Sequence, residues 1–223
     1  MNNKKYLIFS LISIAVLSGC ATESHRTVET ATVASYQTAY YGEKAPLALG
    51  KFTNRSQYNQ GIFSDGVDRL GSQAGTILQT HLQQTGRFTV LDRANLDEIA
   101  FESKLKGQAA QLKGARYLVT GDITEFGRKT VGDKQLFGIL GKGKTQTAYA
   151  KVNLNVVDTK SGEVVFASQG AGEYNLSNRE IIGFGGTAGY DSTLNGKVLE
   201  LAIRDAVNNL VKGIEQGQWT PSK

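Results

Sequence analysis

The sequence predicts an α+β sandwich, a mixed β-sheet with flanking helices in the order β-α-β-α-β-β-β-α, after a signal peptide and a tether. Three observations carry that prediction. Val67, Leu70, Ala74, Ile77, Leu78 and Leu82 recur at helical spacing between two candidate strands. Val152, Leu154 and Val156 alternate with Asn153 and Asn155, the pattern of a strand buried on one face and wet on the other. Near the end the spacing becomes helical again, with Val198, Leu201, Ala202, Asp205, Val207, Leu210 and Val211 in a mainly apolar stripe.

The chain opens with a basic start, Lys4 and Lys5, and an apolar run over residues 6–17. That run is too short to span a bilayer as a helix and matches the core of a secretory signal. Leu17-Ser18-Gly19-Cys20 follows, and Cys20 is the only cysteine. This is the pattern of a bacterial lipoprotein signal: the thiol takes a diacylglycerol thioether, the Gly19–Cys20 bond is cut, and the new amine is acylated. Two or three acyl chains, at about 0.8 kcal/mol per buried methylene, make a stable anchor where one would be marginal. An ordinary signal peptide with a chance cysteine is the plainer alternative. Ala21, in place of an aspartate, favours the outer membrane under the general sorting rule for such envelopes. The expected organisation is a signal peptide at 1–19, a lipidated N-terminus and flexible tether at 20–44, a folded periplasmic domain at 45–219 and a short tail at 220–223.

Residues 21–44 are rich in Thr, Ala, Ser and Tyr without a helical period, and fully extended they reach on the order of 80 Å. Val28, Val33, Tyr36 and Tyr40 suggest that part of this stretch packs on a protein surface. Pro46-Leu47-Ala48-Leu49-Gly50-Lys51-Phe52 is the first expected strand. The helix over Val67 to Leu82 should stop at Gly86. Phe88-Thr89-Val90-Leu91 is a short strand, and Asp92 or Asn95 is placed to cap a second helix carrying Leu96, Ile99, Ala100 and Leu105, closed near Gly107. A third strand covers residues 117–126. Two more, residues 149–157 and 163–168, flank Asp158-Thr159-Lys160-Ser161-Gly162, a composition suited to a hairpin turn. The last helix is expected over residues 195–213.

Forty per cent apolar and 20% charged residues describe a globular chain able to build one core. The formal charge of +5 includes Lys4 and Lys5, which leave with the signal, so the mature protein is mildly basic. Anionic headgroups or cell-wall polymers are suitable weak partners, and nucleic acid is not expected outside the cytoplasm. With Cys20 consumed by lipid, neither a disulfide nor a thiolate metal site can form.

Gly138-Ile139-Leu140-Gly141-Lys142-Gly143-Lys144-Thr145 matches the phosphate-binding loop literally. That loop needs a helix after it, and the residues that follow alternate like a strand, so a glycine- and lysine-rich hairpin tip is the expectation. The two histidines offer little: His25 lies in the tether, and His81 falls on the apolar side of its helix, where a half-buried ring satisfied by a backbone carbonyl is expected. Asp92, Asp122, Glu125 and Asp158 sit near expected strand ends, where capping and turn roles explain them. Arg128-Lys129, with Lys142 and Lys144, make the central tips basic, either as solvated loops or for headgroup contact. No HExxH, GxSxG or paired-histidine spacing occurs, so no catalytic, cofactor-binding or metal residues are assigned and an enzyme is not expected.

Four segments together resemble the CsgG/HfaB family, outer-membrane lipoproteins of the curli and holdfast systems: Arg87-Phe88-Thr89-Val90-Leu91-Asp92-Arg93-Ala94-Asn95-Leu96; Gly114-Ala115-Arg116-Tyr117-Leu118-Val119-Thr120-Gly121-Asp122-Ile123; Val152-Asn153-Leu154-Asn155-Val156-Val157-Asp158-Thr159-Lys160-Ser161-Gly162-Glu163-Val164; and a terminal helix ending Gly213-Ile214-Glu215-Gln216-Gly217-Gln218-Trp219. The resemblance implies an α/β periplasmic domain, ring-like homo-oligomers, and a role in exporting or anchoring fibre subunits with envelope accessory proteins. Pore-forming members insert two β-hairpins per subunit into one barrel. The corresponding segments here are residues 127–147 and 169–194. The first offers Val131, Leu136, Phe137, Ile139 and Leu140, interrupted by Arg128, Lys129, Asp133, Lys134, Lys142 and Lys144. The second offers Ile181, Ile182 and Phe184 amid polar residues and glycines. A lipid-facing Lys or Arg near the midplane costs about 2–4 kcal/mol, so both segments are expected as hairpins or loops on a periplasmic body. A β-barrel pore is one alternative function. A tethered activator of a peptidoglycan synthase is another, since some such activators look like this fold.

Overall fold

Among the described residues the strands form one five-stranded sheet in the order β2-β1-β3-β4-β5. The computed structural model describes residues 30–58, 66–134, 142–180 and 194–222. Cys20, Gly19 and the rest of the expected signal and early tether lie outside them. So do residues 135–141 and 181–193, which hold most of the apolar positions expected at the two hairpin tips.

The elements are β1 (Ala45–Asn54), α1 (Arg69–Gln84), β2 (Phe88–Leu91), α2 (Leu96–Leu105), β3 (Tyr117–Lys134), β4 (Lys142–Asp158), β5 (Val164–Glu180) and α3 (Leu194–Glu215). This is the expected order, and the fold is the expected mixed sheet with flanking helices. β1 runs parallel to β2 and β3, and β3, β4 and β5 are antiparallel. Gly86 and Gly107 follow α1 and α2 at positive φ as expected, while α3 runs past the expected end at 213, where Gly217 at φ 70° lets Gln218 N–H reach Gly213 O and Gly217 N–H reach Ile214 O. That closure turns the chain back, so Trp219 lies between Phe88 and Phe166 with its edge to Tyr117. The expected tail is packed too: Pro221 is buried and Ser222 N–H donates to the Tyr117 hydroxyl.

One face of the sheet carries the core. Leu47, Val119, Ile123, Val152, Leu154 and Val156 are almost fully buried under α1 and α3, which also pack on each other. A register shift between Ile123 and Glu125 flips the side-chain parity of β3, which keeps Phe126 on the core side at 6% exposure. α3 lies directly on β5. A Cβ at Gly170 would overlap Ala202 O and Ala206 N, and one at Gly172 would meet Val198 O at 2.9 Å, so only glycine admits the helix there. On the other face Thr120, Asp122, Asn153 and Asn155 stay partly solvated and Lys151 is exposed.

Of the hairpins or loops expected at residues 127–147 and 169–194, the described parts are paired strands, and the expected strand ends at 126, 149 and 168 need correction: β3, β4 and β5 run to 18, 17 and 17 residues, in register as far as Lys134 opposite Lys142 and Lys142 opposite Glu180. A ladder pairs backbone groups whatever the side chains are, so glycine- and lysine-rich sequence extends once its neighbour does. α2 forms where the sequence places it, and none of its residues is buried.

Candidate functional site

The expected chemical residues resolve into structural partnerships. Asp92 accepts from Ala94 N–H and Asn95 N–H, and the Asn95 amide then the Ala94 N–H hold its carboxyl below the usual range. Asn95 caps α2 by position but donates or accepts no side-chain cap bond. Asp122 pairs with Arg55 at 2.6 Å, and Glu125 with Lys151 at 2.8 Å. Asp158 builds the hairpin turn by accepting from Lys160 N–H at 2.7 Å and pairing with Arg116 at 2.8 Å. The Lys160 N–H lowers its carboxyl most, followed by Ser161 N–H and the Arg116 charge, against a burial effect that raises it.

Residues 142–145 of the phosphate-loop match belong to β4, so no helix N-terminus follows the loop. His81 is 3% exposed, more buried than expected, and its partner is a side chain rather than a carbonyl: Nδ1 lies 3.1 Å from Gln84 Oε1. Its Nε2 is buried without a partner. Burial lowers its pKa from the ordinary 6.5, against smaller upward effects of Gln84 and Glu200. Among the described residues no cluster of His, Cys, Asp and Glu is placed to hold a metal, and no helix is long and apolar enough to cross a membrane. The latter says nothing of strands.

Two parts of the surface stand out instead. The chain enters β1 only after residues 33–40 have packed on the body. Val33 is 2% exposed within the core, and Ala34 N–H donates to Asn208 Oδ1 of α3. Arg87, buried between α1 and β2, holds this segment: Nη1 donates to Thr38 O, Thr85 O and, at the limit of 3.5 Å, Ser35 O, while Nη2 pairs with Glu215 Oε1 at 2.7 Å. Its guanidinium sits 5.1 Å from the Tyr40 ring centre. Sequence reasoning missed Arg87; a cation between a helix-stopping glycine and an apolar strand was the available signal.

The second surface is α2. Phe101 is 61% exposed and Leu105 67%, with Leu112 at 53% in the segment that follows. Right-handed crossovers from β1 to β2 and from β2 back past β1 to β3 run in opposite directions, so they assign α2 to the sheet face opposite α1. At the far flank, Val164 at the start of β5 and Tyr149 on β4 are exposed as well.

The outer edge of β5 is managed where α3 passes it. Asp205 accepts from Ala171 N–H at 3.1 Å, and Asn209 donates to Gln169 O at 2.8 Å. These helix side chains occupy edge groups that would otherwise template another strand.

The family described as "Curli production assembly/transport component CsgG" matches residues 30–222. The chain is 64% identical over 207 residues to a protein of Neisseria meningitidis serogroup B (strain ATCC BAA-335 / MC58) described as "Putative lipoprotein NMB1126/NMB1164", with 93% of each chain covered. Similar solved structures include a Helicobacter pylori protein described as "putative neuraminyllactose-binding hemagglutinin homolog", at 12% identity over 85% of this chain and 92% of that one, TM-score 0.43. Lipoprotein GNA1162 from Neisseria meningitidis is 13% identical over 77% and 99%, TM-score 0.36. The PelC dodecamer from Paraburkholderia phytofirmans is 14% identical over 74% and 87%, TM-score 0.35.

Proposed function

Because the chain belongs to the family of the curli production assembly/transport component CsgG, we propose that it is an outer-membrane-anchored, periplasm-facing lipoprotein that serves export or assembly of surface fibre proteins through protein contacts. Acylated Cys20 is the anchor in this reading, and membrane lipid its first partner. The observation that supports it most is the apolar ridge of α2. A ten-residue helix is marginal alone in water, and this one leaves Phe101 and Leu105 exposed while burying no side chain.

A second copy of the chain is the occupant of that ridge. Among the exposed apolar residues are Phe101 and Leu105 of α2 and, on the strands at the other end of the sheet order, Tyr149 of β4 and Val164 of β5. Contacts between unlike flanks are head-to-tail and generate a ring when the rotation closes. Sedimentation velocity of the lipidated protein in detergent tests this. An oligomer at micromolar concentration that Phe101→Asp disperses, with the melting temperature kept, is the expected result. A strictly monomeric protein overturns it. Mass spectrometry of the purified N-terminus tests the anchor, since a free Cys20 thiol or a retained leader is incompatible with it.

A second reading, an oligomeric β-barrel secretion pore, draws support from the strand lengths. β3, β4 and β5 far exceed the roughly nine to eleven residues that cross a membrane. On one face of the extension Lys129, Thr147, Glu173 and Asn175 are polar and favour water, while Tyr174 and Leu176 pack against the core. Channels of uniform conductance from the folded oligomer in a planar bilayer would favour the pore, and silence would reject it.

A further inference from the structure

A tether with no fixed contacts would leave the body anywhere within its reach, but residues 33–40 do not have that freedom. They make a tight turn, with Tyr36 N–H donating to Val33 O at 3.0 Å and Thr38 N–H to Ser35 O at 3.1 Å. Gln37 takes a positive φ of 59° to close it. Val33 plugs into the core, Asn208 of α3 takes the Ala34 N–H, and Arg87 binds the far end of the turn. The same guanidinium holds the last carbonyls of α1 through Thr85 and the end of α3 through Glu215. One buried cation thus ties three separated parts of the chain. The planar fork suits this role because it can donate in several directions at once, which an ammonium on a flexible stem cannot do with the same geometry.

We propose that residues 33–40 are a strap clipped by Arg87, and that the strap sets how far the body stands from the membrane. Load arriving from the N-terminus enters the fold at Val33, Asn208 and Arg87, at the packed ends of α1 and α3, and not at β1. Only residues 21–32 of the expected tether lie ahead of the clip, and at about 3.3 Å per residue their greatest possible span is about 40 Å, half that of a tether continuing to residue 44. The reach, though not the clip, rests on the lipid anchor proposed for Cys20. With the clip closed, the body stays near the leaflet that holds it, where a ring of copies can form. Opening it doubles the radius the body can explore without changing the domain.

Two measurements on the full-length lipidated protein test the strap separately from the anchor. Hydrogen exchange reads the clip: the amides of Ala34, Tyr36 and Thr38 are expected to exchange about tenfold or more slower than in an unstructured chain, and Arg87→Gln or Val33→Ser should abolish that protection. Free-chain exchange in the wild type overturns the proposal. Energy transfer reads the reach. With Cys20 acylated, Ser161→Cys supplies the one free thiol for a donor, and labelled lipid in vesicles supplies acceptors. Transfer should fall in Val33→Ser, a variant chosen because it spares the ion pair should Arg87→Gln fail to fold. Unchanged transfer in either folded variant overturns the strap as the determinant of reach. If Cys20 proves unmodified, the exchange experiment still decides the clip.

Discussion

α1 and α2 occupy equivalent places in the chain, each crossing between parallel strands, yet one is core and the other is surface. α1 buries Leu70, Ala74, Leu78, His81 and Leu82, while α2 buries nothing. Both carry apolar residues at helical spacing. The difference lies in what each meets: α1 packs on the sheet and on α3, whereas α2 packs closely on no described strand or helix. Periodicity therefore specifies that a helix has an apolar face, and the neighbour decides whether that face belongs to a core or to an interface.

The sharpest way to break this contrast is truncation on each side. Leu82→Ala should cost about 2–5 kcal/mol, because it leaves a cavity where the side chain is fully buried. Phe101→Ala should change the unfolding free energy of the monomer by less than about 0.5 kcal/mol while weakening self-association. Urea unfolding and sedimentation, run on both variants, check the pair. A comparable loss of stability at Phe101 would place α2 in the core after all. Next in size is Gly170→Ala, expected to cost about 1–3 kcal/mol because the new methyl meets α3 backbone that cannot turn aside. Thermal unfolding checks it.

The caps extend the comparison at a smaller scale. Asp68 accepts from Gly71 N–H and also from Asn54 N–H at the end of β1, both at 2.7 Å, so Asp68→Ala should cost about 1 kcal/mol. Asn95 makes no such bond to α2, and Asn95→Ala should be close to silent in the same denaturation assay. The smallest effect is a pH slope. His81 has a folded pKa below its ordinary 6.5, chiefly from burial; Gln84 and Glu200 face it with upward effects and Arg204 with a downward one. As pH falls the unfolded chain takes up the proton first. Stability is therefore whole above about pH 6.5, declines below it, and levels off beneath the folded pKa. His81→Leu should flatten that slope, read as the difference between variant and wild-type melting temperatures between about pH 7.5 and pH 5. An identical slope in the variant would assign the effect to other groups.

Much of the body was legible because its signals are local. Gly86 stops α1 where the sequence placed a stop, Phe88-Thr89-Val90-Leu91 is β2 to the residue, and Asp158 builds the turn its composition suggested. The strand ends were not legible. Gly127 and Lys129 have no strand preference of their own, and they extend because Tyr149 and Thr147 lie opposite them. Val33 was expected to pack on a protein surface, and it is buried, but its place in the core and the role of Arg87 were hidden for a related reason. Nothing adjacent to them in sequence reveals that residues 33–40 fold back onto the ends of α1 and α3.

By itself the sequence determined the order of elements, the helix stops, the hairpin turn and the wet and dry faces of β4, since each depends on residues within a turn or a strand of one another. Tertiary structure alone decided which apolar helix was covered, how far three strands ran, and where the entering chain was fastened. Those outcomes depend on partners up to 174 residues apart, as Ala34 is from Asn208. Backbone pairing and burial reward such contacts only after the chain has closed on itself.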